Sequence, residues 1–314
     1  MKQIHAIGIA SGLGGNNPGC RYGPVRFRRA LLTDPQLEMI WEPMLYPRKK
    51  SSKFMVLAEL QERIIRQIVP IVDRRNQFVA IDGDHSSAMG IWQGVIEALH
   101  PNLRFGLLWI DAHSDLHDFT CSASGNVHSM PLAALLGQGD QELSTIYGNG
   151  PCLEPENLVM LGLRTVDLEE RQLMKQMELI HYDMDSVRIG GFQQVFHKAL
   201  SQLRKQCDCY GISLDLAAID PIDGPGVGTL VPDGLSAKDL CQAFKGLRED
   251  KNLIGIEIAE YNPLLDRNNQ TLQLIVDLLL ALFGDAIRAK RFLGFSNAGI
   301  SISSRPTSSA SAIR

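Results

Sequence analysis

The sequence predicts an α/β fold, a three-layer sandwich in which helices cover both faces of a mostly parallel central sheet. Three observations carry that expectation. Six short apolar runs recur along the 314 residues, segments with helical apolar spacing lie between them, and no Pro/Gly/Ser-rich linker interrupts the alternation. The same pattern makes residues 1–300 one domain, followed by a Ser-rich segment, 301–314, expected to be a mobile tail.

The predicted strands are 4–10, 78–81, 105–110, 158–161, 210–214 and 253–258. Each is apolar almost throughout rather than alternating, as strands buried on both faces of a parallel sheet are. The first predicted helix, 53–75, places Leu57, Leu60, Ile64, Ile68 and Val72 on one stripe with Arg and Glu opposite. Segments 87–100, 192–204, 237–247 and 271–283 repeat the pattern, and Gly284 stops the last of them. Residues 47–53 read as a basic loop.

Composition excludes several classes of function. A formal net charge of -4 leaves no large basic surface for a polyanion, so nucleic acid is not an expected partner. Six scattered cysteines argue against a disulfide framework and for a reducing compartment, and Cys207 with Cys209 lacks a second pair to complete a thiolate metal site. The short apolar run near the N-terminus reads as a first strand rather than a signal peptide. The most apolar segment, 272–283, is too short for a bilayer and contains Asp277, so no membrane partner is expected and the location is cytoplasmic. The loop Ser11-Gly12-Leu13-Gly14-Gly15 lacks the lysine of a P-loop, and Asn17 stands where a dinucleotide fingerprint needs glycine.

Four of the six strand ends run directly into residues of metal-ligand type. These are Asp82-Gly83-Asp84-His85-Ser86, Asp111-Ala112-His113-Ser114-Asp115, Asp215, and Glu260. In an extended segment alternate residues share a face, which would present Asp111, His113 and Asp115 together. A lone Asp-x-His is often a cap or a surface pair. Four such ends on one sheet are different, because carboxylates buried side by side need a cation to neutralise them. Carboxylate and imidazole without thiolate favour Mn²⁺, Zn²⁺, Fe²⁺ or Ni²⁺. His5, His100, His181 and His197 lie away from these segments and are expected to be surface or structural residues, and Trp109 is expected to be core.

Gly83-Asp84-His85-Ser86, the Asp111 to Asp115 run, Ser213-Leu214-Asp215 with Asp220-Pro221, and Glu260-Tyr261-Asn262-Pro263 resemble the ordered signature segments of the ureohydrolases, the family of arginase and agmatinase. Gly162-Leu163-Arg164 and the run from Pro225 to Thr229 extend the resemblance over most of the chain. It implies an arginase-like α/β sandwich, two Mn²⁺ per chain, and a homo-oligomer, trimer or hexamer. Carried over by position, His85, Asp111, Asp115 and Asp215 would bind one ion, and Asp111, His113 and Asp215 the other. His128 would shuttle a proton and Glu260 would pair with a guanidinium. Such chemistry needs a metal-activated water, since a resonance-stabilised guanidinium carbon is a poor electrophile.

Ser124, Asn126 and Asp167 match positions of the arginase branch that contact the amino-acid end of arginine. The implied reaction is hydrolysis of L-arginine to L-ornithine and urea, with agmatine or guanidinobutyrate as alternative substrates. Ser, Gly and Asn also form turns in any loop. His117 and Ser129 replace an Asn and a Gly common in arginases. A larger departure is Ala217, which stands where the family has a second metal-binding Asp. The second ion should therefore bind more weakly, and a metal-depleted, weakly active or inactive member is a further alternative. Asp82, at a family Gly position, is expected to cap a helix.

Overall fold

The computed structural model describes residues 3–33, 37–99, 103–147, 153–284 and 287, so the Ser-rich segment, His100 and Cys152 lie outside the described residues. Among the described residues eight strands form a single sheet: β1 (Ile4–Ile9), β2 (Ile40–Trp41), β3 (Gln77–Asp82), β4 (Phe105–Ile110), β5 (Leu158–Leu163), β6 (Ile180–Asp183), β7 (Cys209–Asp215) and β8 (Leu253–Ala259). Their order is β2-β1-β3-β8-β7-β4-β5-β6, and every neighbouring pair is parallel.

The six predicted strands are all present. The two that sequence patterning did not reveal are the edges, β2 and β6. Both are short and partly exposed, so neither carries a continuous apolar run. The predicted helices appear as α2 (Lys53–Asp73), α3 (Ala88–Ala98), α8 (Phe192–Gln206), α9 (Ala237–Lys245) and α10 (Gln270–Phe283), the last closed by Gly284 at φ +57°. The predicted basic loop ends one residue early, because Ser52 caps α2 by accepting the Met55 N–H. Helices α1 (Gly23–Thr33), α4 (Pro131–Leu135), α5 (Gln141–Tyr147), α6 (Leu168–Gln176) and α7 (Met184–Gly190) are additional.

Alternate strand residues feed two separate cores. Val79, Ile81, Leu108, Ile110, Ile212 and Ile256 pack with α8, α9 and α10, whereas Phe78, Ala80, Leu107 and Trp109 pack with α2 and α3. Both faces are buried, which gives the three layers and explains the near-continuous apolar runs. The central four strands, β3, β8, β7 and β4, are the four whose carboxyl ends carry the polar motifs. The strand order thus gathers Asp82 to His85, Glu260, Asp215 and Asp111 onto one rim, where ligands of open α/β sheets collect.

Candidate metal centre

After β3 the chain turns at Gly83 so tightly against the first loop that an added Cβ would lie 1.6 Å from the Ser11 carbonyl oxygen. Asp84 then accepts hydrogen bonds from the N–H groups of Ser86 and Gly14, and so ties the turn to the Gly-rich loop. Asp84 is the capping residue here. Asp82, expected in that role, is the last residue of β3 and is wholly buried.

The turn delivers His85 into the interior, with Nδ1 3.3 Å from Asp111, 3.0 Å from Asp115 and 3.5 Å from Asp215. Extended alternation is not what brings the two β4 ligands there, since the strand ends at Ile110. Asp111 Oδ1 instead accepts the His113 N–H at 3.0 Å in a tight turn, and Asp115 takes a left-handed backbone, φ +52°. His113 Nδ1 comes within 3.3 Å of Asp111. Glu260, also left-handed at φ +67°, accepts the His85 N–H at 3.0 Å and lies 3.0 Å from His128 Nδ1. Non-glycine residues in that region cost about 1–3 kcal/mol each and cluster where geometry serves function.

Three buried atoms converge without a hydrogen-bond partner: His85 Nδ1, Asp111 Oδ2 and Asp115 Oδ2. The hydrogen bonds around His85 explain its tautomer. Ser213 Oγ donates to Glu257 Oε2 at 2.9 Å, so the same oxygen must accept from His85 Nε2, also at 2.9 Å. In the neutral imidazole the proton therefore sits on Nε2, which leaves the Nδ1 lone pair for a cation held among the aspartates. A hard or borderline cation fits this donor set, with His85, Asp111, Asp115 and Asp215 as the residues that could hold it and His113 beside them for a second.

The charges around the cluster follow from burial and from one another. Burial and then Asp111 push Asp115 up to about 6 and Asp215 up to about 7. Burial would raise Asp111 as well, but His113 and His85 hold it well below the usual carboxylate range. Burial would lower His85, His113 and His128; their carboxylate neighbours prevail, raising His85 well above its ordinary value and His113 and His128 to about 9.

Above the cluster opens a cavity of about 220 Å³, lined by His113, Asp115, His128, Asp215, Ala217 and Glu260. Ala217 is buried and faces it, and its N–H donates to Asp215 at 2.6 Å. His117 and Asp167 stand at the mouth, joined at 2.5 Å, and Asp167 also caps α6 by accepting the Glu170 N–H. Ser124 and Asn126 sit in the preceding loop, where the Ser124 hydroxyl accepts the Asn126 N–H, and they do not contribute to the lining.

Three supporting groups escaped sequence reasoning. Trp109 is core, as expected, yet its ring also stacks on His85 at 4.3 Å. Arg164 donates to the carbonyls of Ala217, Ala218, Val231 and Pro232 and so pins the loop after β7. Ser213 orients His85; its place in the strand two residues before Asp215, on the same face, was the available signal.

The family model described as the Arginase family matches residues 2–284. An arginase of Bacillus caldovelox is 32% identical over 91% of this chain and 100% of its own length, and one of Bacillus subtilis is 33% identical over 90% and 98%. The crystal structure of Bacillus subtilis arginase superimposes with a TM-score of 0.82 at 32% identity, covering 90% of this chain and 99% of that one. A formimidoylglutamase of the same organism shares the fold, with a TM-score of 0.76 at 19% identity over 90% and 86%. With a near-complete family match, arginase relatives at about a third identity and a buried carboxylate–imidazole cluster at the strand ends, the chain belongs to the arginase family and is an amidinohydrolase of the ureohydrolase type.

Proposed function

We propose that this protein hydrolyses the guanidino group of L-arginine to L-ornithine and urea with Mn²⁺ as cofactor. The observation that carries the reading is the convergence of His85, Asp111, Asp115 and Asp215 beneath a cavity whose wall holds Glu260 and His128. Arginases are among its relatives, and one similar structure, from Entamoeba histolytica at 26% identity and a TM-score of 0.81, is described in complex with L-ornithine.

When bound, the metal supplies a water of lowered pKa as nucleophile near neutral pH. Glu260 meets the guanidinium with a charge-assisted hydrogen bond and turns its carbon toward that nucleophile. As oxygen bonds to the carbon, the bond from that carbon to the side-chain nitrogen must break, and this nitrogen leaves only once protonated. His128, kept protonated through neutral pH by Glu260, is placed to deliver the proton. Asp167 is the proposed acceptor for the α-amino group, with Ser124 and Asn126 in the neighbouring loop. A homo-oligomer, trimer or hexamer, and a cytoplasmic setting accompany this reading; the free state of Cys20, Cys121, Cys207 and Cys241 supports the latter.

A second reading has an observation of its own. Ala217 puts a methyl group where a carboxylate would reach the second ion, which favours a member with one firm and one labile metal site and reduced turnover. Urea release from arginine, agmatine and guanidinobutyrate, with and without added Mn²⁺, tests both. Arginine-only, metal-stimulated release is the expected result; release from agmatine alone, or none at all, would overturn the substrate assignment.

A further inference from the structure

A row of side chains crosses the sheet directly beneath His85. The register aligns Ala80, Glu257, Ser213 and Trp109 on β3, β8, β7 and β4. Glu257 is wholly buried, and its Oε2 accepts from two donors, Trp92 Nε1 at 2.6 Å and Ser213 Oγ at 2.9 Å. Its other oxygen, Oε1, has no donor among the described residues, and neither oxygen of the equally buried Asp82 has one. Asp82 lies two residues beyond Ala80 on the same face of β3, which makes its carboxyl the diagonal cross-strand neighbour of Glu257.

Two ionised carboxylates could not be left side by side there, since both would be desolvated, of like charge and without donors. One proton between them satisfies the unpaired oxygens. The position of that proton follows from the other bonds: Oε2 already accepts two, which stabilises Glu257 as the anion, so Asp82 is the acid and its O–H points to Glu257 Oε1.

We propose that Asp82 and Glu257 form a proton-sharing carboxyl pair that acts as a positioning unit for His85. Asp82 holds Glu257 in place; Glu257 holds the Ser213 hydroxyl; Ser213 accepts from His85 Nε2, and Nδ1 stays free for a cation. Burial and Glu257 raise Asp82 well above the usual carboxylate range, in agreement with a protonated Asp82. The inference rests on the reading of His85 as a metal ligand.

The test compares Asp82→Asn with Asp82→Ala in the full chain, by Mn²⁺ titration against a competing chelator and by infrared spectroscopy. An amide at position 82 still donates to Glu257, so Asp82→Asn should bind Mn²⁺ within about twofold of the parent. Asp82→Ala leaves Oε1 unpaired and should weaken the tighter site by about tenfold, the lower end for supports of metal ligands. The parent should show a protonated-carboxyl C=O band at neutral pH that Asp82→Asn removes, a readout that survives if the Ala variant fails to fold. Equal losses in both variants, no loss in Asp82→Ala, or no such band would overturn the pair. Absence of tight Mn²⁺ binding in the parent would instead sink the metal reading itself.

Discussion

Asp215 accepts the backbone N–H of Ala217 at 2.6 Å, a bond that turns the chain at the end of β7 and leaves the Ala217 methyl group facing the cavity. Because residue 217 enters this bond with its backbone N–H and not its side chain, an aspartate there needs no change of fold to reach the cavity. Ala217→Asp is therefore expected to raise the Mn²⁺ retained after dialysis from one ion per chain toward two, and to raise turnover with it. Two ions retained by the parent would contradict the argument.

Removing the proton donor separates chemistry from binding. His128→Asn should lower kcat by about 10²–10⁴-fold, the range for a lost general acid, while KM for arginine changes little. A fall in kcat/KM carried by KM alone would assign His128 to binding instead.

Acid and alkali should act on the metal-free protein in a defined direction. His113 and His128 rise to about 9 in the fold, so their stabilisation is full below about 6.5, the free histidine value, and is lost as pH rises through 9. Asp115 and Asp215 rise to about 6 and 7, so their ionisation also penalises the metal-free fold as pH climbs from about 3.9, the free aspartate value, to those values. Metal binding needs the same carboxylates ionised. Thermal melts between pH 5 and 9 should show Tm falling with pH without metal, and the increment on adding Mn²⁺ growing with pH. An increment that shrinks with rising pH would refute the assignment of these ligands.

At the mouth, His117 occupies one oxygen of Asp167 and the helix cap occupies the other. His117→Asn should release the first oxygen and lower KM for arginine by a few fold, about 1 kcal/mol for one recovered hydrogen bond, with no matching gain for agmatine. An equal change for both substrates would remove Asp167 from α-amino recognition.

Arg164 tests the loop support. Five carbonyls, that of Gly162 included, accept from its guanidinium, so Arg164→Ala leaves several of them without a donor and should cost about 2 kcal/mol in urea denaturation. Arg164→Lys, with one ammonium in place of a planar fork, should recover only part of that.

Much of this is legible in the amino-acid sequence alone. The two-sided burial of β3, β4, β7 and β8 writes itself as continuous apolar runs, and the change from Ile110 to Asp111 or from Leu214 to Asp215 marks where each strand leaves the core. The edges β2 and β6 were not legible, since a two-residue strand and a half-exposed one carry no pattern. The left-handed backbones at Asp115 and Glu260 were hidden for another reason: they are imposed by tertiary contacts on residues that do not announce them. The row from Glu257 to Ser213 to His85 was hidden because it runs across strands, at right angles to the sequence.

The stacking of Trp109 on His85 gives the site an optical handle. An indole at 4.3 Å from an imidazole feels every change in that ring's electron density, so occupancy of His85 Nδ1 by a cation should register in the tryptophan emission of the intact protein. The filling of a colourless metal centre could thus be followed in real time without a label, with Trp109→Phe as the control that extinguishes the signal.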